Sequence, residues 1–253
     1  MLFVVSELNL SSQYAPDSKA VDCYHNPARL CHYAITEADL VVAQTSTQDR
    51  MLRDRFGKDS VVMRNPMDLT PEVPSPTPYS DRRIALWVGK SDNIKRPQVL
   101  LQLATMFPDV DFALVMNRAE QRVFSQVVRT KGPNVTIYEH VPFGDIEHLF
   151  AESFVLINTS TSEGFPNAFL QAGKYGVPIL SLSVDPDCFI ERYGCGVVAG
   201  GDFDRLVAGM EQIQADQQGA QILSRAIARY VAGNHSLDDR VIELDSAIKA
   251  LCF

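Results

Sequence analysis

The chain has 253 residues, 46% of them hydrophobic and 21% charged, enough for one or two domains with a sizeable core. With 31 acidic against 23 basic residues its formal net charge is −8, which argues against nonspecific binding to nucleic acid or to an anionic membrane. No apolar run approaches the ~20 residues of a membrane span, and the start lacks the basic-then-apolar form of a signal peptide.

In chain order, the apolar pattern predicts a short strand at 2–5, a long polar connection and a helix at 27–37. A strand at 40–43, a helix at 47–56 and a strand at 60–64 follow. Residues 65–78 carry five prolines in 14 positions, which forbids helix and central strand and marks a linker. Beyond it, strands are predicted at 84–88, 111–116, 135–138, 154–158, 178–182 and 196–198. Helices are predicted at 97–107, 119–130, 143–151, 166–175, 187–193 and 203–216, with helical pattern again from 220 to 251. Six strands alternating with helices imply a doubly wound α/β domain. The stretch before the linker holds only about three strands of an α/β layer.

Residues 162–172, Ser-Glu-Gly-Phe-Pro-Asn-Ala-Phe-Leu-Gln-Ala, are the most informative. They follow the unbroken apolar run 154–157, typical of a strand buried on both faces. Pro166 suits a helix's first turn and Gly176 can close that helix. The polar loop 159–164 then lies at a strand's carboxyl end, before a helix N-terminus, where an open parallel sheet binds ligands and an anion is favoured. A phosphate-bearing ligand is expected near Glu163 and Asn167.

Three motifs in order carry a resemblance: residues 38–45 with 61–68, residues 86–97 (Leu-Trp-Val-Gly-Lys-Ser-Asp-Asn-Ile-Lys-Arg-Pro), and Glu163 through Gln171. Together they resemble the group 1 (retaining) nucleotide-sugar glycosyltransferases of the GT-B fold. The last motif is similar to that family's Glu-x7-Glu signature, except that Gln171 stands at the second Glu. The resemblance implies a complete doubly wound, Rossmann-like C-terminal domain (81–235) preceded by a partial N-terminal α/β domain (1–70). A Pro-rich linker (71–80) and a C-terminal helix (236–253) complete the expected organisation. Fewer than 80 residues precede the donor domain, whereas a domain usually has ~100–200. The chain is therefore expected to be N-terminally incomplete, or completed by another chain, and to expose a strand edge and apolar surface that favour self-association.

The implied reaction transfers a sugar from a nucleoside diphosphate sugar to a hydroxyl of a glycan or lipid-linked acceptor, with retention, in polysaccharide biosynthesis. Gly89, Lys90 and Lys95 would lie at the carboxyl edge of the sheet, where two cations could neutralise the departing diphosphate. Lys90 stands where the family usually has Arg, keeping the charge without the bidentate fork. The alternative is a pair of solvated surface lysines. Glu163 would contact donor-sugar hydroxyls, or else cap the helix dipole. The amides of Gly164, Phe165 and Asn167 would face sugar and phosphate. Gln171 would meet the ribose hydroxyls without charge assistance, a loss of ~1 kcal/mol. Asn167 and Gln171 share a helix face, so solvent-exposed polarity is the alternative for both. His140 and Val141 are candidates to hold the nucleobase; for His140 an incidental loop position is the alternative.

No cofactor or essential metal is expected. Three Asp-x-Asp triplets (Asp109 with Asp111, Asp185 with Asp187, Asp202 with Asp204) are short and common; the first reads as a turn and Asp202 as a helix cap. Asp185 and Asp187 lie at a strand's carboxyl end, where a donor-side role stays open. Cys23, His25, Cys31 and His32 match no zinc spacing. The five cysteines, including Cys188, Cys195 and Cys252, read as reduced thiols of a cytoplasmic protein. Two other readings remain: a noncatalytic nucleotide-sugar-binding or partner module, and a sugar epimerase of similar fold.

Overall fold

A computed structural model describes residues 2–5, 17–19, 21, 27–70 and 77–250. Cys23, His25, Cys252 and most of the expected linker, 71–76, lie outside the described residues. Contacts divide the chain into two compact units: Met1–Asp68 with Glu163–Phe165 and His235–Phe253, and Leu69–Ser162 with Pro166–Asn234.

The first unit contains β1 (Leu2–Val5), α1 (Ala28–Glu37), β2 (Leu40–Ala43), α2 (Ser46–Phe56) and β3 (Val61–Val62). Its strands pair in parallel in the order β1-β2-β3. All four residues of β2 are buried, because its two faces enter different clusters. Val41 and Ala43 pack with Ile35, Ala38 and Leu52, while Leu40 and Val42 pack with Met63, Leu244 and Ala247. Thr45 and Gln48 form a capping box at the start of α2, each side chain accepting from the other's amide. Lys58 Nζ donates to the carbonyls of Thr36 and Ala38 at 3.0 and 2.6 Å, satisfying the end of α1. β3 is shorter than the strand expected over 60–64.

The second unit runs β4 (Ile84–Lys90), α3 (Pro97–Met106), β5 (Asp111–Asn117), α4 (Gln121–Thr130), β6 (Val135–Tyr138), α5 (Phe143–Glu152) and β7 (Ser153–Asn158). It continues through α6 (Asn167–Lys174), β8 (Ile179–Ser181), α7 (Phe189–Tyr193), β9 (Gly196–Val198), α8 (Phe203–Ala215) and α9 (Gln217–Asn234). All strand pairings are parallel, in the order β6-β5-β4-β7-β8-β9. This is the doubly wound order, with the chain reversing direction across the sheet between β4 and β7. Trp87, Leu100, Phe112, Leu114, Val155 and Leu206 lie in its core, where each fully buried large side chain contributes roughly 1.5–3 kcal/mol. Buried Arg82 donates to the carbonyls of Thr77, Ser153 and Gly176, joining the start of β7 to the turn after α6. Gly176 sits at φ +60°, the left-handed conformation expected of the residue that ends α6.

Two helices depart from expectation. The helix expected from 119 begins at Gln121, with Glu120 as its extended N-cap and the amides of Ala119 and Glu120 bonded to Ser91 Oγ and O. The helix expected over 187–193 becomes a 3₁₀ turn, Pro186–Cys188, followed by the short α7. Asp187 and Cys188 adopt left-handed angles there, φ 52° and 57°. The helical pattern from 220 to 251 is carried by α9 and, after a break, by α10 (Leu237–Lys249), which belongs to the first unit. The break follows from Met67, whose N–H donates to His235 O at 2.7 Å and whose carbonyl accepts from Leu237 N–H at 3.1 Å.

Candidate functional site

Ligands of open parallel sheets gather outside the carboxyl ends of strands where the winding reverses. In the second unit that place is flanked by the loop from β4 to α3 and the loop from β7 to α6. Trp87 drives their meeting: its indole is 1% exposed, and Nε1 donates to Thr159 Oγ1 at 2.9 Å. Thr159 Oγ1 in turn donates to Lys95 O at 2.6 Å, with Arg96 O at 3.1 Å. Thr161 N–H donates to Ile94 O at 2.9 Å. Such bonds between residues 63 to 72 positions apart have no signal in local sequence.

The β4–α3 loop is fixed from the other side as well. Buried Ser91 bonds the backbone of Asn117 and Glu120, and Asn93 Nδ2 donates to Glu120 Oε2 at 2.7 Å. Asp92 Oδ1 accepts from the amides of Ile94 and Lys95 at 3.0 and 2.7 Å, an Asx turn. Of the two candidate cations, Lys90 is exposed at the end of β4 and Lys95 is half-buried. Gly89 has a packing reason of its own: a Cβ there would stand 2.8 Å from the Trp87 ring.

Downstream of β7, Thr159 and Ser160 are buried and Thr161 and Ser162 exposed. Glu163–Phe165 group with the first unit. The Phe165 ring lies 4.9 Å from the ring of His235, and Phe165 O accepts from Asn65 Nδ2 at 3.4 Å. His235 is fully buried and its Nδ1 meets Asn65 O at 2.8 Å, so that nitrogen carries the proton. Burial pushes the His235 pKa down to about 4, with nearby Arg64 and Arg240 acting in the same direction against the bond to Asn65. Phe165, expected only as a backbone donor, thus has a side chain that anchors the loop bearing Glu163, itself half-buried.

α6 begins with Pro166 as N-cap and Asn167 as its first residue. Asn167 is exposed, as a solvated position would be, but Gln171 is only 7% exposed. The reading of Gln171 as solvent-exposed polarity is therefore corrected: one turn along, the same helix face has left solvent. Its amide makes no hydrogen bond among the described residues. On the β6–α5 loop, His140 is exposed and Val141 half-buried, beside an Arg118–Glu139 ion pair of 2.7 Å.

A buried brace behind α6 was missed. Lys174 Nζ lies 2.7 Å from Glu147 Oε1 with side chains 4% and 1% exposed, and the Tyr175 hydroxyl donates to Glu147 Oε2. It joins α5 to the end of α6. Asp185, left open above, is engaged by the amides of Ile190 and Glu191 at 2.8 and 3.2 Å, and burial raises its pKa. Asp202 caps α8 through the amides of Asp204 and Arg205. Cys31 is buried in the first unit and His32 packs against Phe56 at 5.8 Å. Among the described residues, no three His, Cys, Asp or Glu side chains converge on one point.

The sequence pattern of the family described as glycosyl transferases group 1 matches residues 82–216, more than half of the chain. Glycosyltransferase 1 domain-containing protein 1 of Xenopus tropicalis is 26% identical over 154 residues, 56% of this chain and 44% of that protein. The S. aureus TarM structure with fondaparinux, alpha-GlcNAc-glycerol and UDP superposes with a TM-score of 0.78 at 13% identity, over 97% of this chain and 50% of that one. Anabaena HepE in complex with UDP gives 0.81 at 14% identity, over 98% of this chain and 72% of that one. At these identities the likeness to the solved structures is one of fold, the GT-B fold. The chain spans less than half the length of the curated relative and half that of TarM.

Proposed function

This chain belongs to the group 1 glycosyltransferases, and on that premise we propose that it transfers a sugar from a nucleoside diphosphate sugar to an acceptor hydroxyl, with retention and without an essential metal. The observation that carries this reading is the joining of the β4–α3 and β7–α6 loops beside the reversal of winding, with Lys90 at the end of β4, Lys95 on the first loop and the α6 N-terminus after the second.

As the bond from anomeric carbon to diphosphate oxygen breaks, negative charge grows on the leaving group. Lys90, Lys95 and the amides at the start of α6 stabilise it more in the transition state than in the ground state. Glu163 accepts hydrogen bonds from donor-sugar hydroxyls, and Gln171 bonds the ribose. His140 and Val141 hold the base. The acceptor hydroxyl attacks on the face the leaving group vacates, passing its proton to the departing phosphate. Hexoses are the donor sugars proposed, a glycan or lipid-linked hydroxyl the acceptor and the cytoplasm the setting. TarM and HepE were both solved with UDP, so UDP-sugars are the first donors to offer.

The test is calorimetric titration with UDP, GDP, ADP and their sugar conjugates, repeated on Lys95→Ala and Glu163→Ala. Saturable binding of one nucleotide is expected. Lys95→Ala should weaken both forms about tenfold, and Glu163→Ala the sugar conjugate more than the free nucleotide. Binding unaffected by either substitution refutes the assignment. The neutral amide of Gln171 favours one second reading, a nucleotide-sugar-binding module without turnover; donor binding with no transfer to any acceptor would support it.

A further inference from the structure

Arg96 carries backbone strain: its φ is +49° and its ψ 56°, left-handed values rarely adopted by a residue with a Cβ. Pro97 follows and biases its predecessor toward extended conformations, which makes the geometry harder to hold. Capping does not explain it, because Arg96 is the N-cap of α3 yet its side chain makes no cap bond. Instead the guanidinium crosses to the neighbouring loop, where Nε donates to Thr159 O at 2.8 Å. Nη2 is buried with no hydrogen-bond partner among the described residues, an unfavourable state that cohesion of the core does not require. Strain and an orphan donor persist only where the surroundings over-determine them.

What surrounds Arg96 is the peptide of Lys95. That peptide is held at its N–H by Asp92 Oδ1, at 2.7 Å, and at its carbonyl by Thr159 Oγ1, at 2.6 Å. Thr159 can serve only if its own backbone stays in place, and Arg96 Nε holds its carbonyl. Both the hydroxyl and the carbonyl of one buried threonine are thus engaged by the two residues Lys95 and Arg96. We propose that Arg96 is a positioning residue, a strap to Thr159 that fixes the root of the Lys95 side chain for the donor diphosphate. The inference rests on the donor-site reading above.

The experiment compares Arg96→Gly with wild type in three measurements: UDP titration, thermal unfolding and amide hydrogen exchange at Thr161, whose N–H bonds Ile94 O. Glycine accepts φ near +50° without strain, so Tm is expected to stay level or rise. UDP affinity should fall about tenfold, because a misplaced charge loses most of its advantage. Thr161 exchange should quicken several-fold. Arg96→Lys, which can still place a donor on Thr159 O, should recover part of the affinity. A merely structural arginine would instead lower Tm in step with affinity, and that result overturns the strap. Equal UDP affinity in Arg96→Gly and a binding-competent wild type overturns the strap alone. A wild type that binds none of UDP, GDP and ADP overturns the donor-site reading and the strap with it.

Discussion

Lys174→Met is expected to destabilise the second unit by about 3–5 kcal/mol, the range for removing one partner of a buried ion pair. Glu147 and Lys174 are almost wholly out of water, 2.7 Å apart, and the Tyr175 hydroxyl occupies the second carboxylate oxygen. Removing the ammonium takes the opposite charge away from a carboxylate that stays out of water. Methionine keeps most of the lysine stem's volume, so lost packing contributes little. At ~2–4 °C per kcal/mol for a unit of this size, Tm should fall by about 10 °C. Trp87, the only tryptophan, lies buried in this unit and reports its unfolding in urea or on heating. The double variant Glu147→Met/Lys174→Met should recover most of the loss, since apolar replacement of a whole buried pair is often near neutral. A Lys174→Met chain within about 1 kcal/mol of wild type, no less stable than the double variant, would refute the reasoning.

Two further outcomes are expected. Fully buried His235 has its pKa pushed down from 6.5 to about 4. The unfolded chain therefore takes up a proton first, so this contribution is complete above pH 6.5 and fades as pH falls toward 4, by up to about 3 kcal/mol. Denaturant midpoints measured from pH 7 to 4.5 should decline less steeply in His235→Gln than in wild type, and parallel curves would sink the assignment. Gln171→Glu, which returns charge to the position proposed for the ribose hydroxyls, should tighten UDP binding several-fold, about 1 kcal/mol; weaker binding would remove Gln171 from the donor site.

Local chemistry made much of the molecule legible. The runs 84–88 and 154–157 are too short and too continuously apolar for anything but strands buried on both faces, and β4 and β7 are such strands. Pro166 and Gly176 bracket α6 because each meets a backbone requirement of a helix end. Asp202 caps α8 through amides two and three residues away, so its role too lay within reach of the sequence. Lys90 and Lys95 could be placed at the sheet edge because the end of β4 is itself a local signal.

Other features depend on partners distant in sequence. Thr159 looks like any loop threonine until Trp87, Lys95 and Arg96 converge on it from more than 60 positions away. Lys174 reads as an ordinary charge at a helix end until Glu147, 27 residues earlier, meets it in the dry interface of α5 and α6. Gln171 has the polarity of a surface residue, and only packing removes it from solvent. The break between α9 and α10 lies at the expected boundary after 235, but the bonds of His235 and Leu237 to the backbone of Met67 have no local signal. Periodicity and end-capping chemistry are satisfied within a few residues, so the sequence by itself determined most of the strand and helix segments and the strand–loop–helix form of β7 and α6. Strand order, buried charge pairing and the seating of Lys95 each require groups brought together across the fold, and those only the tertiary structure decided.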